Sequence, residues 1–181
     1  MFGLRGIVQK TLILIIAAII ILGGVAIALY LQPTSQQYKI KIFTGGTAGV
    51  YYPIGNALAE ILNKYSNGKI QAAAQSSGAS VANAKALSTG DAQLVFIQND
   101  IAYYAYKGIY MFTNASINNI RGVAVLYPEI IQIVVKADSG IKNLMDLTNK
   151  RVAIGAAGSG TAVEGELILK AAGLWGKVTI Q

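Results

Sequence analysis

The residue types best suited to chemistry in this chain are concentrated in residues 142–161. Residues 151–155 read RVAIG, which is typical of a buried strand, and residues 156–161 form a loop of Ala, Gly, Ser and Thr. Residues 162–169 continue in helix-forming types. A strand, a small-residue loop and a helix start in this order present free backbone N–H groups and hydroxyls at the positive end of a helix. The pattern therefore predicts a site for a carboxylate or a phosphate.

A second candidate lies in the loop TGGTAG at residues 44–49. Its small residues, including Gly46 and Thr47, let backbone amides approach a ligand closely. Tyr51 follows the loop and adds a ring face and a hydroxyl. The loop could therefore form one wall of a binding site.

Three polar residues near predicted helix starts could each have one of two roles, ligand contact or structural residue. Ser80 and Asn83 lie three residues apart on one helical face, where both can donate to a carboxylate. Ser80 could equally be a helix N-cap, and Asn83 a solvated polar residue. Thr161 could contact a ligand, or it could form a capping box with Glu164, which would use the same N–H groups.

Composition restricts the classes of function. Fifteen Lys and Arg against eight Asp and Glu give a formal charge of +7, which favours acidic ligands or an anionic membrane surface. The basic residues are scattered, so nucleic-acid binding is disfavoured. The chain has no Cys and no His, which removes disulfides, thiolate metal sites and imidazole bases. We therefore expect no enzyme, no cofactor and no metal.

Residues 1–31 are predicted to form an N-terminal signal anchor. Residues 11–31 are 21 residues without a charge, and as a helix they would span roughly 32 Å, close to the thickness of a bilayer core. Arg5 and Lys10 precede them, so we expect a single-pass membrane protein with its N-terminus in the cytoplasm and its folded part extracytoplasmic. The alternative is a signal peptide cleaved near Ala28, which would release a secreted or periplasmic protein.

After a polar linker at residues 32–37, strand and helix patterns alternate, which predicts an α/β fold with a mostly parallel sheet. The predicted strands are residues 38–43, 69–74, 93–97, 118–126, 130–136, 151–155 and 177–180. The predicted helices are residues 54–65, 80–87, 101–110 and 162–169. We expect the tyrosine-rich third helix to pack its aromatic face on the sheet. Ligands of such folds bind beyond the carboxyl ends of the strands.

Three stretches, residues 44–62, 76–100 and 126–161, resemble the TAXI family of solute-binding proteins, the extracytoplasmic receptors of one class of TRAP transporter. The elements GVYYP at residues 49–53 and LYPE at residues 126–129 carry the resemblance most specifically. The run DLTNKRVAIG followed by GSGT is shared more widely among periplasmic binding proteins.

The resemblance implies a two-lobed fold of the periplasmic-binding-protein type II class. Residues 38–130 would form lobe 1 and residues 131–181 the start of lobe 2. Proteins of the family continue well beyond the position that matches Gln181, so we expect lobe 2 to be incomplete and the chain to be truncated. Asn149 stands where this family element usually has Gly, which is tolerable because Asn also accepts a left-handed turn.

The resemblance also implies the ligand contacts. Joined with the two loop residues above, the predicted contacts are Gly46, Thr47, Tyr51, Ser80, Asn83, Gln98, Tyr127, Ser159, Gly160 and Thr161. Gln98 could instead cap a strand end, and Tyr127, which precedes Pro128, could pack at a hinge. The implied ligand is a small organic acid or amino acid, such as glutamate or a dicarboxylate.

The implied function is capture of that ligand for uptake driven by an ion gradient, with the TRAP permease subunits as membrane partners and the N-terminal helix in the lipid bilayer. One alternative is a membrane-tethered ligand sensor, or a remnant with this fold and no transport role. Another is a dinucleotide-dependent enzyme that uses the glycines of residues 155–160, but their spacing is G-x-x-G-x-G and not G-x-G-x-x-G.

Overall fold

The computed structural model describes residues 15–27 and 36–181, which belong to two compact units, Met1–Gln36 and Gln37–Gln181. Residues 15–27 form a helix, α1, whose side chains are exposed. Within the described residues, no helix combines the length and the apolarity needed to cross a membrane. The predicted anchor, linker and cleavage position lie partly outside the described residues.

A three-stranded parallel sheet organises the unit Gln37–Gln181. It contains β1 (Tyr38–Phe43), β2 (Ile70–Gln75) and β3 (Leu94–Val95), with β1 in the centre. β1 pairs with β2 along its whole length and with β3 only at its C-terminal end. Parallel neighbours require crossover connections, and helices supply them here. The predicted α/β class with a parallel sheet is therefore confirmed for this unit.

All four predicted helices of this unit form, with ends shifted by up to three residues. They are α2 (Tyr51–Tyr65), α3 (Ser80–Thr89), α4 (Asn99–Lys107) and α5 (Gly160–Ala171). Helix α4 ends earlier than expected because Gly108 adopts a left-handed conformation at φ 68° and terminates it. A short 3₁₀ turn, Tyr110–Phe112, follows in place of the last helical turn.

Helix α2 covers the sheet through a core of buried apolar side chains, Ile42, Ala59, Ala72 and Phe96. Gly55, on the inner side of α2, lies against the buried Thr44 at the end of β1, and a Cβ at Gly55 would overlap the Thr44 methyl group. The missing side chain brings the first turn of α2 close to the loop that leaves β1. This approach positions Tyr51, the first residue of α2, beside that loop.

A second core joins α3, α4 and the 3₁₀ turn: Val81, Ala84, Ile101, Ala105, Phe112 and Ile117. The buried face of α4 is formed by Ile101 and Ala105, which are four residues apart. Tyr103 and Tyr106 of α4 and Tyr110 of the 3₁₀ turn do not pack into this core, since they are 54%, 48% and 57% exposed, whereas Tyr104 is partly buried against it. The expectation of an aromatic face packed on the sheet was therefore wrong for these three residues.

A second, smaller sheet pairs β4 (Arg151–Val152) with β5 (Thr179–Ile180) in parallel. Its core contains Leu147, Leu169 and Leu174. Asn149 has φ 62°, which confirms the left-handed turn expected there. In the sequence, the strands of the first sheet come before residue 130, the predicted lobe boundary, and the strands of the second sheet come after it. The division into two lobes itself stays a prediction.

The strands expected at residues 118–126 and 130–136 do not form. No backbone hydrogen bond joins residues 121–135 to another described residue, and Val125 and Val134 are 98% and 83% exposed. β-Branched residues favour a strand only where a neighbouring strand pairs with it. The segment has the composition of a strand, but no other described strand pairs with it.

We expect Gly55→Ala to lower the free energy of unfolding by about 1–3 kcal/mol, because the added methyl group must displace Thr44. Alanine is otherwise the better helix former by about 1 kcal/mol, so the sign of the change reports the close approach. Chemical denaturation of the full chain measures it. Glu60→Ala, at an exposed position of the same helix, should change stability by less than about 0.5 kcal/mol. A Gly55→Ala variant more stable than the parent would contradict the close approach.

Candidate functional site

The unit Gln37–Gln181 contains a cavity of about 980 Å³ at the carboxyl ends of its strands. It is lined by the loop after β1, the starts of α2, α3 and α5, the segment around Tyr127, and residues of β4. Small-molecule sites typically measure about 300–1,000 Å³. The cavity therefore has the size and the position expected of a ligand site in an α/β fold.

Eight of the ten predicted contacts line this cavity: Gly46, Tyr51, Ser80, Gln98, Tyr127, Ser159, Gly160 and Thr161. The structure thus brings together residues from five separate parts of the chain. Thr47 and Asn83 are not among the lining residues. The role of any of these residues in ligand binding stays a prediction.

Ser80, Gln98 and Gly160 form a tightly packed group in the wall of the cavity. The Gln98 backbone N–H donates to Ser80 Oγ at 3.1 Å, and Ser80 Oγ donates to Gln98 Oε1 at 3.4 Å. A Cβ at position 160 would overlap the Gln98 amide group. Gly160 is therefore needed for the start of α5 to approach Gln98. Ser80 is not an N-cap here, because Ala79 holds that position.

The loop before α5 also contacts the start of α3 directly. The Gly158 carbonyl accepts hydrogen bonds from Val81 N at 2.9 Å and Ala82 N at 3.2 Å. These are free N–H groups of the first turn of a helix, which could otherwise bind an anion. The N-terminus of α3 is therefore occupied by a carbonyl of the same chain.

Helix α5 begins with a different cap from the one the sequence suggested. Ser159 is the N-cap, and its hydroxyl accepts a hydrogen bond from Ala162 N at 3.0 Å. The capping box between Thr161 and Glu164 does not form. Glu164 does not compete for the N–H groups at the helix start, and its carboxylate is left to border the cavity.

Asn83 is held inside the unit Gln37–Gln181 by hydrogen bonds to the same chain. Its Nδ2 donates to Thr44 O and Phe96 O, each at 2.7 Å, and its Oδ1 accepts from Ser77 Oγ at 2.6 Å. The side chain is fully buried. It joins the ends of β1 and β3 to α3, which leaves no strong donor of Asn83 available to a ligand.

Tyr51 is positioned by an aromatic contact and by a carboxylate. Its ring lies 5.3 Å from that of Phe96, centroid to centroid, and its hydroxyl donates to Glu129 Oε2 at 2.9 Å. Burial raises the pKa of the Tyr51 hydroxyl, the nearby Ser80 hydroxyl opposes this, and the Glu129 charge raises it further. Burial and Glu129 also raise the pKa of Tyr127. Both phenols therefore remain protonated donors.

Residues 42–180 match the model of the NMT1-like family. The chain belongs to the NMT1-like family. This family is periplasmic-binding-protein-like and is related to the solute-binding proteins of TRAP and ABC transporters. The membership supports a binding-protein-like fold and an extracytoplasmic role in binding a small-molecule solute. The matched residues include the loops that line the cavity.

Sequence reasoning missed two acidic residues of this NMT1-like chain, Glu129 and Glu164, which both line the cavity. Burial raises the pKa of the Glu164 carboxyl, as do the charges of Asp100 and, to a smaller extent, Glu129, while a hydrogen bond with Gln98 opposes the rise. The signal for Glu129 was its place in the LYPE element beside Tyr127. The signal for Glu164 was its position four residues after Gly160, because residues four apart lie on the same face of a helix.

The residues described by the structure include no cluster of three or more acidic side chains arranged to hold a metal ion. The cavity instead presents hydroxyl, amide, backbone and carboxylate groups. Such groups bind and orient a polar organic molecule through hydrogen bonds.

We expect Asn83→Ala to lower the free energy of unfolding by about 2–4 kcal/mol, because it leaves buried carbonyls and a hydroxyl without partners. Urea denaturation of the full chain measures the change. Asn119→Ala, at an exposed position, is the matched control and should be nearly neutral. If the variant lost ligand binding without losing stability, Asn83 would be a ligand contact and not a structural residue.

We expect Glu164→Gln to raise the melting temperature at neutral pH. The folded-state pKa of Glu164 is raised, so the folded protein loses stability as pH rises from the unfolded-state pKa through the folded-state pKa. Below about pH 4 the carboxyl is protonated in both states and the penalty vanishes. The difference in melting temperature between the variant and the parent should therefore shrink in acid. A constant difference across a pH series would rule out this cause.

Proposed function

We propose that this chain is the extracytoplasmic solute-binding receptor of a TAXI-type TRAP transporter, which captures a small organic acid or amino acid for uptake driven by an ion gradient. The observation that carries the proposal is the cavity at the strand ends, which is lined by seven residues expected from the TAXI resemblance and by Gly46 of the glycine-rich loop. Membership of the NMT1-like family supports the coarser role of solute binding.

Binding without catalysis suits the groups that line the cavity. The chain has no His and no Cys that could serve as a general base or a nucleophile. The polar groups of the cavity are held in hydrogen bonds such as those between Ser80 and Gln98. A receptor needs convergent donors and acceptors of this kind, and it needs no reactive group.

The contact between Gly158 and α3 suggests how the site closes. The Gly158 carbonyl joins the loop before α5 to the first turn of α3, across the cavity wall. We propose that ligand capture stabilises this closed arrangement, and that the TRAP permease subunits recognise it. In this proposal residues 11–31 anchor the receptor in the lipid bilayer and hold the binding unit outside the cytoplasm.

Thermal melting of the full chain, kept in solution with a mild detergent, tests the proposal. The probes are each of the common amino acids, 2-oxoglutarate, succinate, fumarate and phosphate. A ligand at about 100 times its Kd should add about 2.7 kcal/mol to stability and raise the Tm by several degrees. If no amino acid and no organic acid shifts the Tm, the receptor function is wrong.

Tyr51→Ala should weaken binding of the active probe by at least about tenfold, because it removes both the ring face and the hydroxyl from the cavity. Tyr51→Phe keeps the ring on Phe96 and should cause a smaller loss, and it guards against misfolding of the first variant. The matched control is Tyr103→Ala, at an exposed position on α4, which should bind normally. Isothermal titration calorimetry measures all three. Unchanged affinity in Tyr51→Ala would remove Tyr51 from the site.

A further inference from the structure

The tyrosines of α4 and of the 3₁₀ turn after it have no part in the solute cavity. Residues 103–110, all of them described by the structure, contain four tyrosines, and none of the four lines the cavity. Tyr104 is partly buried against the core, whereas Tyr103, Tyr106 and Tyr110 are exposed. Neither the core nor the solute site therefore explains the three exposed side chains.

The four rings form one continuous surface with a lysine among them. Lys107 Nζ lies 5.9 Å from the centre of the Tyr103 ring and 5.8 Å from that of the Tyr106 ring. The Tyr104 ring lies 6.2 Å from the Tyr103 ring and 4.7 Å from the Tyr110 ring, centroid to centroid. These distances are within the range of cation–π and aromatic contacts. We call these five residues the tyrosine patch.

The chain around the tyrosine patch has no acidic residue. No Asp or Glu occurs between Asp100 and Glu129 in the sequence, but Lys107 and Arg121 both do. Lys107 is exposed and forms no ion pair with any described residue. Ile109 and Met111, which flank Tyr110, are also exposed. The patch therefore offers solvent a combination of aromatic, apolar and positive groups.

Two carboxylates act on the inner edge of the patch, at Tyr104. Burial raises the pKa of Tyr104, and the charges of Asp100 and, to a smaller extent, Glu164 raise it further. One oxygen of Asp100 is buried, Glu164 lines the cavity, and Tyr104 itself packs against the core. These charges oppose an anionic partner at the inner edge, and they leave Lys107 and the exposed tyrosines to make the contact.

We propose that the tyrosine patch docks onto the surface of an anionic lipid bilayer. Tyrosine is enriched at membrane interfaces because its ring is apolar and its hydroxyl can bind water or headgroups. A bilayer surface supplies every partner that the patch needs: acyl chains for Ile109 and Met111, a hydrated layer for the tyrosine hydroxyls, and anionic headgroups for Lys107.

The proposed membrane anchor makes weak docking sufficient. In the receptor proposed above, residues 11–31 and the linker at residues 32–37 hold the binding unit at a bilayer. Docking is then an intramolecular step, for which the tether supplies a high effective concentration. Docking would fix which side of the binding unit faces the lipid. This role goes beyond solute binding and does not depend on which solute is bound.

A fluorophore at one defined position tests the docking, because the chain has no cysteine of its own. Thr113→Cys places the label beside the tyrosine patch, and Ala57→Cys places it at an exposed position on α2. Each full chain is reconstituted in vesicles of phosphatidylcholine, alone or with an equal part of phosphatidylglycerol, that contain brominated lipid as a quencher. We expect strong quenching at position 113 in the anionic vesicles, with much less in neutral vesicles or in about 1 M salt. Quenching at position 57 should be weak throughout.

Substitutions in the Thr113→Cys chain test the patch residues. Lys107→Gln should lower the ratio of docked to undocked molecules about fivefold, which is the effect of one basic residue near an anionic surface. Tyr103→Ala combined with Tyr106→Ala should lower it about tenfold or more. An unchanged melting temperature checks that each variant is folded, and Lys107→Gln remains a test if the double variant is not.

The matched controls come from a lysine–tyrosine pair outside the patch. Lys64 Nζ lies 5.3 Å from the centre of the Tyr65 ring at the end of α2. Lys64→Gln and Tyr65→Ala remove the same kinds of group as the patch variants, and neither should change the quenching at position 113.

Three results would overturn the proposal: equal quenching at positions 113 and 57, equal quenching at position 113 in neutral and anionic vesicles, and unchanged quenching in both patch variants. Energy transfer between labels at position 113 of different copies, without lipid quenching, would overturn it in favour of a second copy as the occupant. Each of these results would leave the solute-binding function standing. A full chain that does not float with the vesicles would overturn both the anchor and the docking surface.

Discussion

The site depends on the close approach between the loop before α5 and the start of α3. Gly158 offers its carbonyl to Val81 N and Ala82 N, and Gly160 leaves the space that Gln98 fills. Both contacts need a residue without a Cβ, or one that accepts φ 86° as Gly158 does. This approach joins α3 and Gln98, which follow β2 and β3 of the three-stranded sheet, to the loop that follows β4 of the two-stranded sheet. Without it, the cavity would lose the wall formed by Ser159, Gly160 and Thr161.

Two kinds of buried polar group have opposite effects in this unit. Asn83 is fully buried, but each polar atom of its side chain has a partner, so it fixes the position of α3 against the ends of β1 and β3. Glu164 is partly buried and has no basic partner among the described residues, and burial raises the pKa of its carboxyl, so its charge reduces stability. Groups of the first kind build a scaffold. Groups of the second kind are typical of sites where stability is given up for binding.

Local patterns predicted the helices, β1, β2 and the position of the cavity. The alternation in YKIKIF and the glycine-rich loop after it were sufficient to predict β1 and its end, because both are patterns of neighbouring residues. The segment 118–136 could not be predicted in this way, since strand formation depends on a paired edge elsewhere. The contacts of the Asn83 side chain could not be predicted for the same reason. Its four partners are 6, 13, 39 and 40 residues away, and a spacing rule along one helix contains no information about them.

Net charge and local charge lead to different expectations for the ligand. A formal charge of +7 for the chain favours an acidic ligand at long range, but salt screens such attraction over about 8 Å at physiological ionic strength. Within the cavity, the partly buried carboxylate of Glu164 is screened less than a charge on the surface. The overall charge can therefore assist the approach of an anionic molecule, while the carboxylates that line the cavity repel a negative group placed beside them.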